Sequence, residues 1–203
     1  TRSSNLEIPE ICPACGQEAR VIRENDVEAL YCMNPDCAAK KIKAFTLFVS
    51  RDAMNIDGLS EATLEKFIAK GFIHNFGDIF EIEKFRDEIV TMEGFGEKSY
   101  ENLMNSIEKA EETTLAKVIY SLGIANIGLS NAKVICRHFD DDLDKIRSAD
   151  EEEISAIDGI GPVIAKSLTK YLSNPENKLI VDDLLKYLLI NNEDISGEQF
   201  FAG

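Results

Sequence analysis

The chain of 203 residues lacks any long apolar run. A helix that crosses a bilayer needs roughly 20 consecutive apolar residues, and no stretch here approaches that length. The first residues also show no basic segment followed by an apolar one, as a secretory leader would. The sequence therefore does not predict a membrane-spanning or secreted protein, and we expect a cytoplasmic location.

Histidine is scarce as well. The two histidines, His74 and His138, have no partner at metal-ligand spacing, and each follows an apolar helix face, so a local structural role is favoured. The acidic runs 140–142 and 151–153 precede amphipathic stretches, and we interpret them as helix-start charges rather than metal ligands. Cys136, which stands alone, is interpreted as a small core residue.

Basic residues are fewer than acidic ones, and the difference is confined to one part of the chain. The net charge is −15, which normally repels nucleic acid. Residues 1–51 carry 7 basic and 7 acidic side chains, whereas residues 52–203 carry 15 basic and 30 acidic ones. Any DNA contact of the second part must therefore use local backbone geometry. A modest basic cluster near the junction, Lys40, Lys41, Lys43 and Arg51, is a candidate for contact with the DNA backbone.

What the chain does have is a cluster of cysteines near its start, Cys12, Cys15, Cys32 and Cys37. Two residues between the first pair let both thiolates reach one ion from a single tight turn, and the second pair forms another such turn. Four thiolates make a closed tetrahedral site, so the sequence predicts a structural zinc. Two short strands, 18–23 and 29–31, are expected between the pairs. Two disulfides in a secreted domain, or a redox dithiol at Cys12 and Cys15, are the less favoured alternatives.

From Ala44 onward the pattern is helical, and four segments share one shape: an apolar residue, a glycine-containing turn and an amphipathic helix. We name these the first to fourth hairpins. Ser60, Gly96, Gly128 and Gly161 close them at separations of 36, 32 and 33 residues, and such a period indicates stacked two-helix units. The four hairpins are Ile56–Ser60, Met92–Gly96, Leu122–Gly128 and Ile157–Gly161. The fold class expected is mostly α, a small four-cysteine zinc module followed by four helix-hairpin-helix units.

The glycines give these hairpins their chemistry. A glycine just before a helix leaves the free backbone N–H groups and the positive helix end open to an anion, so phosphate oxygens can approach. Nothing in the pattern contacts base edges, which predicts binding independent of DNA sequence. In the third hairpin we expect Gly123 to end the preceding helix and Gly128 to bind phosphate. The candidate DNA-binding residues are Gly58, Ser60, Gly94, Gly96, Lys98, Gly128, Gly159, Gly161, Lys166 and Arg51.

These residues resemble one family. Cys12–Gly16, Tyr31–Lys40, Phe48–Leu59, Gly94–Ser99 and Leu122–Ile124 closely resemble bacterial NAD-dependent DNA ligases, in the same order and over roughly residues 8–190. The resemblance implies a parent enzyme that seals nicks in duplex DNA during replication and repair, using NAD and magnesium bound outside this chain. The Lys-x-Asp-Gly motif that carries the adenylate in that family is absent, so we expect no catalytic residue and no ligation by this chain alone. Ser60 stands where the family usually has glycine.

The same resemblance predicts the domain boundaries and partners. Residues 1–7 are expected to be the tail of an oligonucleotide-binding (OB) domain, 8–43 a zinc finger, 44–192 the tandem hairpin domain and 193–203 a linker with the start of a BRCT domain. The expected partners are nicked double-stranded DNA, contacted through its phosphates, and the other domains of the ligase, in the bacterial cytoplasm near the nucleoid.

Three other functions remain open on the sequence alone. The first is a stand-alone hairpin module of a repair or recombination protein, and this is the principal alternative. The second is a base-excision glycosylase, which would need a catalytic Lys or Asp after a hairpin and a pocket for a flipped base. The third is a protein-interaction scaffold, for which the acidity is the main support.

Overall fold

In the computed structural model, residues 11–24, 27–34 and 37–191 are described. Their contacts divide the chain into two compact units, with the boundary between Ala44 and Phe45. This boundary falls inside helix α1, Ala38–Val49. The expected OB tail at 1–7 and the expected BRCT start at 193–203 lie outside the described residues, so these domain assignments stay predictions.

The N-terminal unit is built on a two-stranded antiparallel sheet. Strand β1, Ala19–Glu24, pairs with β2, Val27–Cys32, in a register that sets Ala19 opposite Cys32. This confirms the two strands predicted between the cysteine pairs. The small core of the unit contains Cys12, Ala19 and Cys37, with exposures of 7%, 1% and 1%. Because so little apolar surface is buried there, a bound metal would supply much of the folding free energy.

The second unit is helical, as predicted. Its helices bury one continuous apolar core, with Phe48, Phe67, Leu103 and Ile135 at 0% exposure. The helices after α1 are α2 (Glu61–Ala69), a 3-10 helix (Phe76–Phe85), α3 (Arg86–Ile89), α4 (Glu97–Ala110), α5 (Leu115–Ser121), α6 (Leu129–His138), α7 (Leu143–Ser148), α8 (Glu151–Ser155), α9 (Pro162–Ser173) and α10 (Pro175–Leu185).

A short parallel sheet that the sequence did not predict joins distant parts of this unit. Strand β3, Glu112–Thr114, pairs with β4, Leu189–Asn191, so that Thr113 lies opposite Ile190. Thr113 is buried, with 8% exposure. The pairing connects the segment between α4 and α5 to the chain that follows α10.

The acidic runs stand at helix starts, as expected. Asp142 caps α7 by accepting hydrogen bonds from the N–H groups of Asp144 and Lys145. Asp150 caps α8 by accepting from the N–H of Glu153. Glu151, Glu152 and Glu153 fill the first turn of α8, where negative charge stabilises the helix dipole.

The isolated cysteine and the two histidines take local roles. Cys136 is 1% exposed in the helical core. The N–H of His74 donates to Asp78 at the start of the 3-10 helix, and the ring of His138 packs edge-on against Phe139. Among the described residues, no helix is both long enough and apolar enough to cross a membrane.

Candidate metal centre and nucleic-acid interface

The four N-terminal cysteines converge on one point. Their Sγ atoms all lie within 4.8 Å of one another. The Cys12–Cys37 and Cys15–Cys32 Sγ distances are 3.8 and 3.5 Å. Tetrahedral coordination with metal–sulfur bonds of about 2.3 Å sets sulfur atoms about 3.8 Å apart, so the cluster fits one ion. It is the one group of potential metal ligands found among the described residues.

Backbone hydrogen bonds shape the two turns that carry the thiols. In the first, the N–H of Gly16 donates to the Cys12 carbonyl over 2.8 Å, and Gly16 has a φ of +72°, which favours glycine. In the second, the N–H of Cys37 donates to the carbonyl of Asn34 over 3.2 Å. Both turns therefore hold their cysteines through the main chain.

The same geometry favours thiolates at the first turn. The backbone N–H of Gln17 lowers the pKa of the Cys15 thiol to about 6. The N–H groups of Cys15 and Ala14 lower the pKa of Cys12. Burial raises the pKa of Cys32, and a cation among the four sulfurs would favour its thiolate.

The second, third and fourth hairpins share a turn with a left-handed residue in its third position. Carbonyl groups of Met92, Ile124 and Ile157 accept from N–H groups three residues on, at 3.0, 3.2 and 2.9 Å. Gly94 and Gly159 occupy the left-handed position with φ of +78° and +86°, and Gly58 of the first hairpin has +94°. The left-handed conformation favours glycine at these positions, which gives them a structural role, and their predicted contact with DNA stays a prediction.

The glycine that closes each of these three hairpins has an extended backbone conformation instead of a left-handed one. Gly96, Gly128 and Gly161 are the N-cap residues of α4, α6 and α9, with φ of −129°, −88° and −95°. These extended conformations are open to any residue, and a Cβ built on each glycine meets nothing within 4 Å. No side chain caps these three helices in the described part of the chain. The fold does not require glycine here, and the helix amides stay accessible.

The helix that follows the first hairpin, α2, does have a side-chain cap. Ser60 caps α2 with its own hydroxyl, which accepts from the N–H of Thr63 at 3.2 Å. Glu61 adds a carboxylate in the first turn. The amides that a phosphate would use are therefore partly satisfied by the chain itself.

The predicted basic residues lie at the surface. Lys98 is exposed in the first turn of α4, Lys166 is exposed at the start of the second turn of α9, and Arg51 is exposed just after α1. Lys98 stands close behind Gly96, so its ammonium group can add charge beside the open amides, whereas Lys166 lies one helical turn beyond Gly161.

Comparison with known proteins gives these features a context. A family model described as a helix-hairpin-helix motif matches residues 117–181, which contain the third and fourth hairpins. The chain is 56% identical over 97% of its length to a DNA ligase of Lachnoclostridium phytofermentans, of which it covers 30%. It is 50% identical over 99% of its length to a DNA ligase of Ruminiclostridium cellulolyticum, covering 31%. A Brevibacillus brevis DNA ligase is 40% identical over 87% of this chain, which covers 26% of that ligase.

The chain is related to a segment of the bacterial DNA ligases. It spans about 30% of the length of these relatives. The resemblance predicted from the cysteine pairs and the hairpins is thereby confirmed for this segment, and the relatives do not favour a stand-alone repair module.

The third hairpin contains a feature that was not predicted from the sequence. Gly123 has a φ of +71° directly after α5, which confirms that it ends that helix. The left-handed position of the turn is instead taken by Asn126, with φ +66°. Asn tolerates this conformation better than most residues. The pattern Asn-Ile-Gly at 126–128 could have shown the equivalence to Gly-Ile-Gly at 159–161.

Proposed function

We propose that this chain is the part of an NAD-dependent DNA ligase that grips duplex DNA through its phosphates, without regard to base sequence. The observation that carries the proposal is the set of three hairpin-closing glycines, Gly96, Gly128 and Gly161. Each has an ordinary extended φ and open space where a Cβ would stand. A glycine that the fold does not need leaves room for a second molecule to approach the backbone.

The chemistry at these positions suits a phosphate oxygen. The free amides at the starts of α4, α6 and α9 lie where the helix dipole is positive; in α9 they begin at Val163, because Pro162 has no N–H. Lys98 and Lys166 add charge at two of the three sites. This arrangement allows an acidic protein to bind DNA, because amides supply the contact and the first turns of α6 and α9 carry no carboxylate, although Glu97 stands in the first turn of α4.

The cysteine cluster, in this proposal, holds a structural zinc ion. Four thiolates at tetrahedral spacing leave no coordination position for water or substrate, so the ion would stabilise the fold and take no part in chemistry. Its role would be to keep the N-terminal unit folded, including the segment that carries Lys40, Lys41 and Lys43.

The ligase reaction itself belongs to the whole enzyme. Adenylation from NAD and the magnesium ions it requires would use domains outside this chain, since the adenylate-carrying lysine motif is absent from the sequence. We propose that the chain contributes affinity for nicked duplex DNA during replication and repair, and that the other ligase domains are its partners in the bacterial cytoplasm.

The test replaces glycine by aspartate in Gly128→Asp and Gly161→Asp. Aspartate is a favoured N-cap, so each variant should be as stable as the wild type or more so, by about 0.5–1 kcal/mol. A carboxylate in the phosphate position should nonetheless lower affinity for duplex DNA by more than about tenfold, since like charges in contact cost several kcal/mol.

The matched control is Ser60→Asp in the first hairpin, where the cap is already made by the chain. It should leave DNA affinity nearly unchanged. Wild-type affinity in both glycine variants would overturn the proposed use of these helix starts. Urea titration of all three proteins shows whether a loss of binding reflects a loss of folding.

A further inference from the structure

A side-chain hydrogen bond joins the third hairpin to the helix that follows the fourth. Asn126 donates from Nδ2 to Ser167 Oγ in α9 over 3.1 Å. The two residues are 41 positions apart and both belong to the helical unit. The bond therefore connects the turn before Gly128 to the helix that begins after Gly161.

The first and second hairpins contain a comparable link. The backbone N–H of Asp57 donates to Ser106 Oγ in α4 over 2.8 Å. A Cβ on Gly58 would also lie 3.5 Å from the Cβ of Leu103 in the same helix. The chain thus has two hairpin pairs, and in each a serine of the later helix accepts a hydrogen bond from the turn of the earlier hairpin.

The two pairs differ in charge at their helix starts. In the first pair, Glu61 and Glu97 stand in the first turns of α2 and α4, and Glu97 pairs with Arg86 at 3.1 Å. In the second pair, the first turns of α6 and α9 contain no acidic residue. The turn of the fourth hairpin does carry Asp158, whereas the turn of the third is uncharged. The helix dipoles of the second pair are therefore the less compensated ones.

We propose that Asn126 is a positioning residue, which fixes the spacing between the helix starts of the third and fourth hairpins through its hydrogen bond to Ser167. The inference rests on the proposed function. Glycine would serve the left-handed backbone equally well, as it does in the other hairpins, but it has no side chain to reach α9. Asn126 adopts the left-handed conformation and also has a side chain that reaches Ser167.

The consequence for binding follows from multivalency. Two phosphate contacts held at a fixed distance bind as one event, and freedom between them lowers the effective concentration at the second contact. One exposed hydrogen bond contributes about 0.5–1.5 kcal/mol, which corresponds to a roughly two- to tenfold change in affinity.

The experiment measures duplex DNA binding of the whole chain with Asn126→Gly, Ser167→Ala and the double variant. Each single change should weaken binding roughly two- to tenfold, and the double variant should be no weaker than either, because all three remove the same bond. Asn126→Gly keeps the backbone conformation open, so its effect reports the side chain alone. Ser167→Thr retains the hydroxyl and should retain wild-type affinity.

Ser106→Ala is the matched control, since it removes the corresponding serine from the first pair. It should cost about as much stability as Ser167→Ala while leaving DNA affinity unchanged. A positioning role for Asn126 is overturned if the single variants bind as the wild type does, or if their effects add independently, as two direct DNA contacts would. Absence of duplex binding by the wild type would instead overturn the proposed function, and this inference with it.

Discussion

Arg147 in α7 donates a hydrogen bond from Nη2 to Asp182 Oδ1 in α10 over 2.9 Å. The side chain of Arg147 is only 18% exposed, and its Nε has no hydrogen-bond partner in the described structure. The other ion pairs that the structure gives in the described residues lie farther out on the surface. The Arg147–Asp182 pair therefore joins α10 to α7, the helix that lies between the third and fourth hairpins in the sequence.

Removal of its carboxylate should destabilise the helical unit. Asp182→Ala leaves a largely buried guanidinium without its acceptor, and we expect a loss of about 1–3 kcal/mol in the free energy of unfolding. Urea denaturation gives the value directly. Lys84→Ala, which breaks the exposed Lys84–Glu81 pair, should cost no more than about 0.5 kcal/mol. Equal losses of unfolding free energy in the two variants would show that the Arg147–Asp182 pair contributes no more stability than an exposed ion pair.

Metal removal should affect the two units differently. Chelation, or Cys37→Ser, should unfold the region near residues 8–40 and leave the helices folded, because the cysteine cluster has its own small core. Limited proteolysis near the N-terminus and circular dichroism measure the two effects separately.

Metal content supplies the control for that prediction. The wild type and Cys136→Ala should each bind one zinc per chain, since Cys136 lies outside the cluster. Unchanged proteolysis of the N-terminal region after complete metal loss would contradict a structural zinc.

The two glycines of the fourth hairpin should respond differently to the same change. Gly159 has a φ of +86°, so Gly159→Ser places a side chain in the left-handed region and should destabilise the protein by about 1–2 kcal/mol. Gly161 has a φ of −95° and open space, and serine is a good N-cap, so Gly161→Ser should cost nothing or stabilise slightly. Thermal melts of the two variants make the comparison, and equal losses would contradict the assignment of structure to one glycine and binding to the other.

Local patterns predicted much of this molecule. The spacing of Cys12, Cys15, Cys32 and Cys37 predicted a cluster that the structure brings within tetrahedral reach. Apolar spacing after each hairpin predicted the helices, and the position of Gly123 predicted the end of α5. Each of these depends on residues that are close in sequence, where residue type dictates the backbone.

What the sequence did not predict depends on distant pairings. The β3–β4 sheet joins segments 77 residues apart through strands of three residues, too short for an alternating pattern. The Asn126–Ser167 bond spans 41 positions between two ordinary polar residues. The left-handed conformation of Asn126 was not predicted, because asparagine adopts it less often than glycine. DNA contact at Lys98, Lys166 and Arg51 stays a prediction.

The central claim is that the hairpins bind duplex DNA through phosphates, and salt-dependent binding tests it most directly. The chain would be titrated with nicked, intact and single-stranded DNA of scrambled sequence at rising salt concentrations. We predict that duplex affinity does not depend on base sequence and falls as the salt concentration increases, since phosphate contacts release counterions. Binding that depends on base sequence, a preference for single strands, or no duplex binding at low salt would contradict the account.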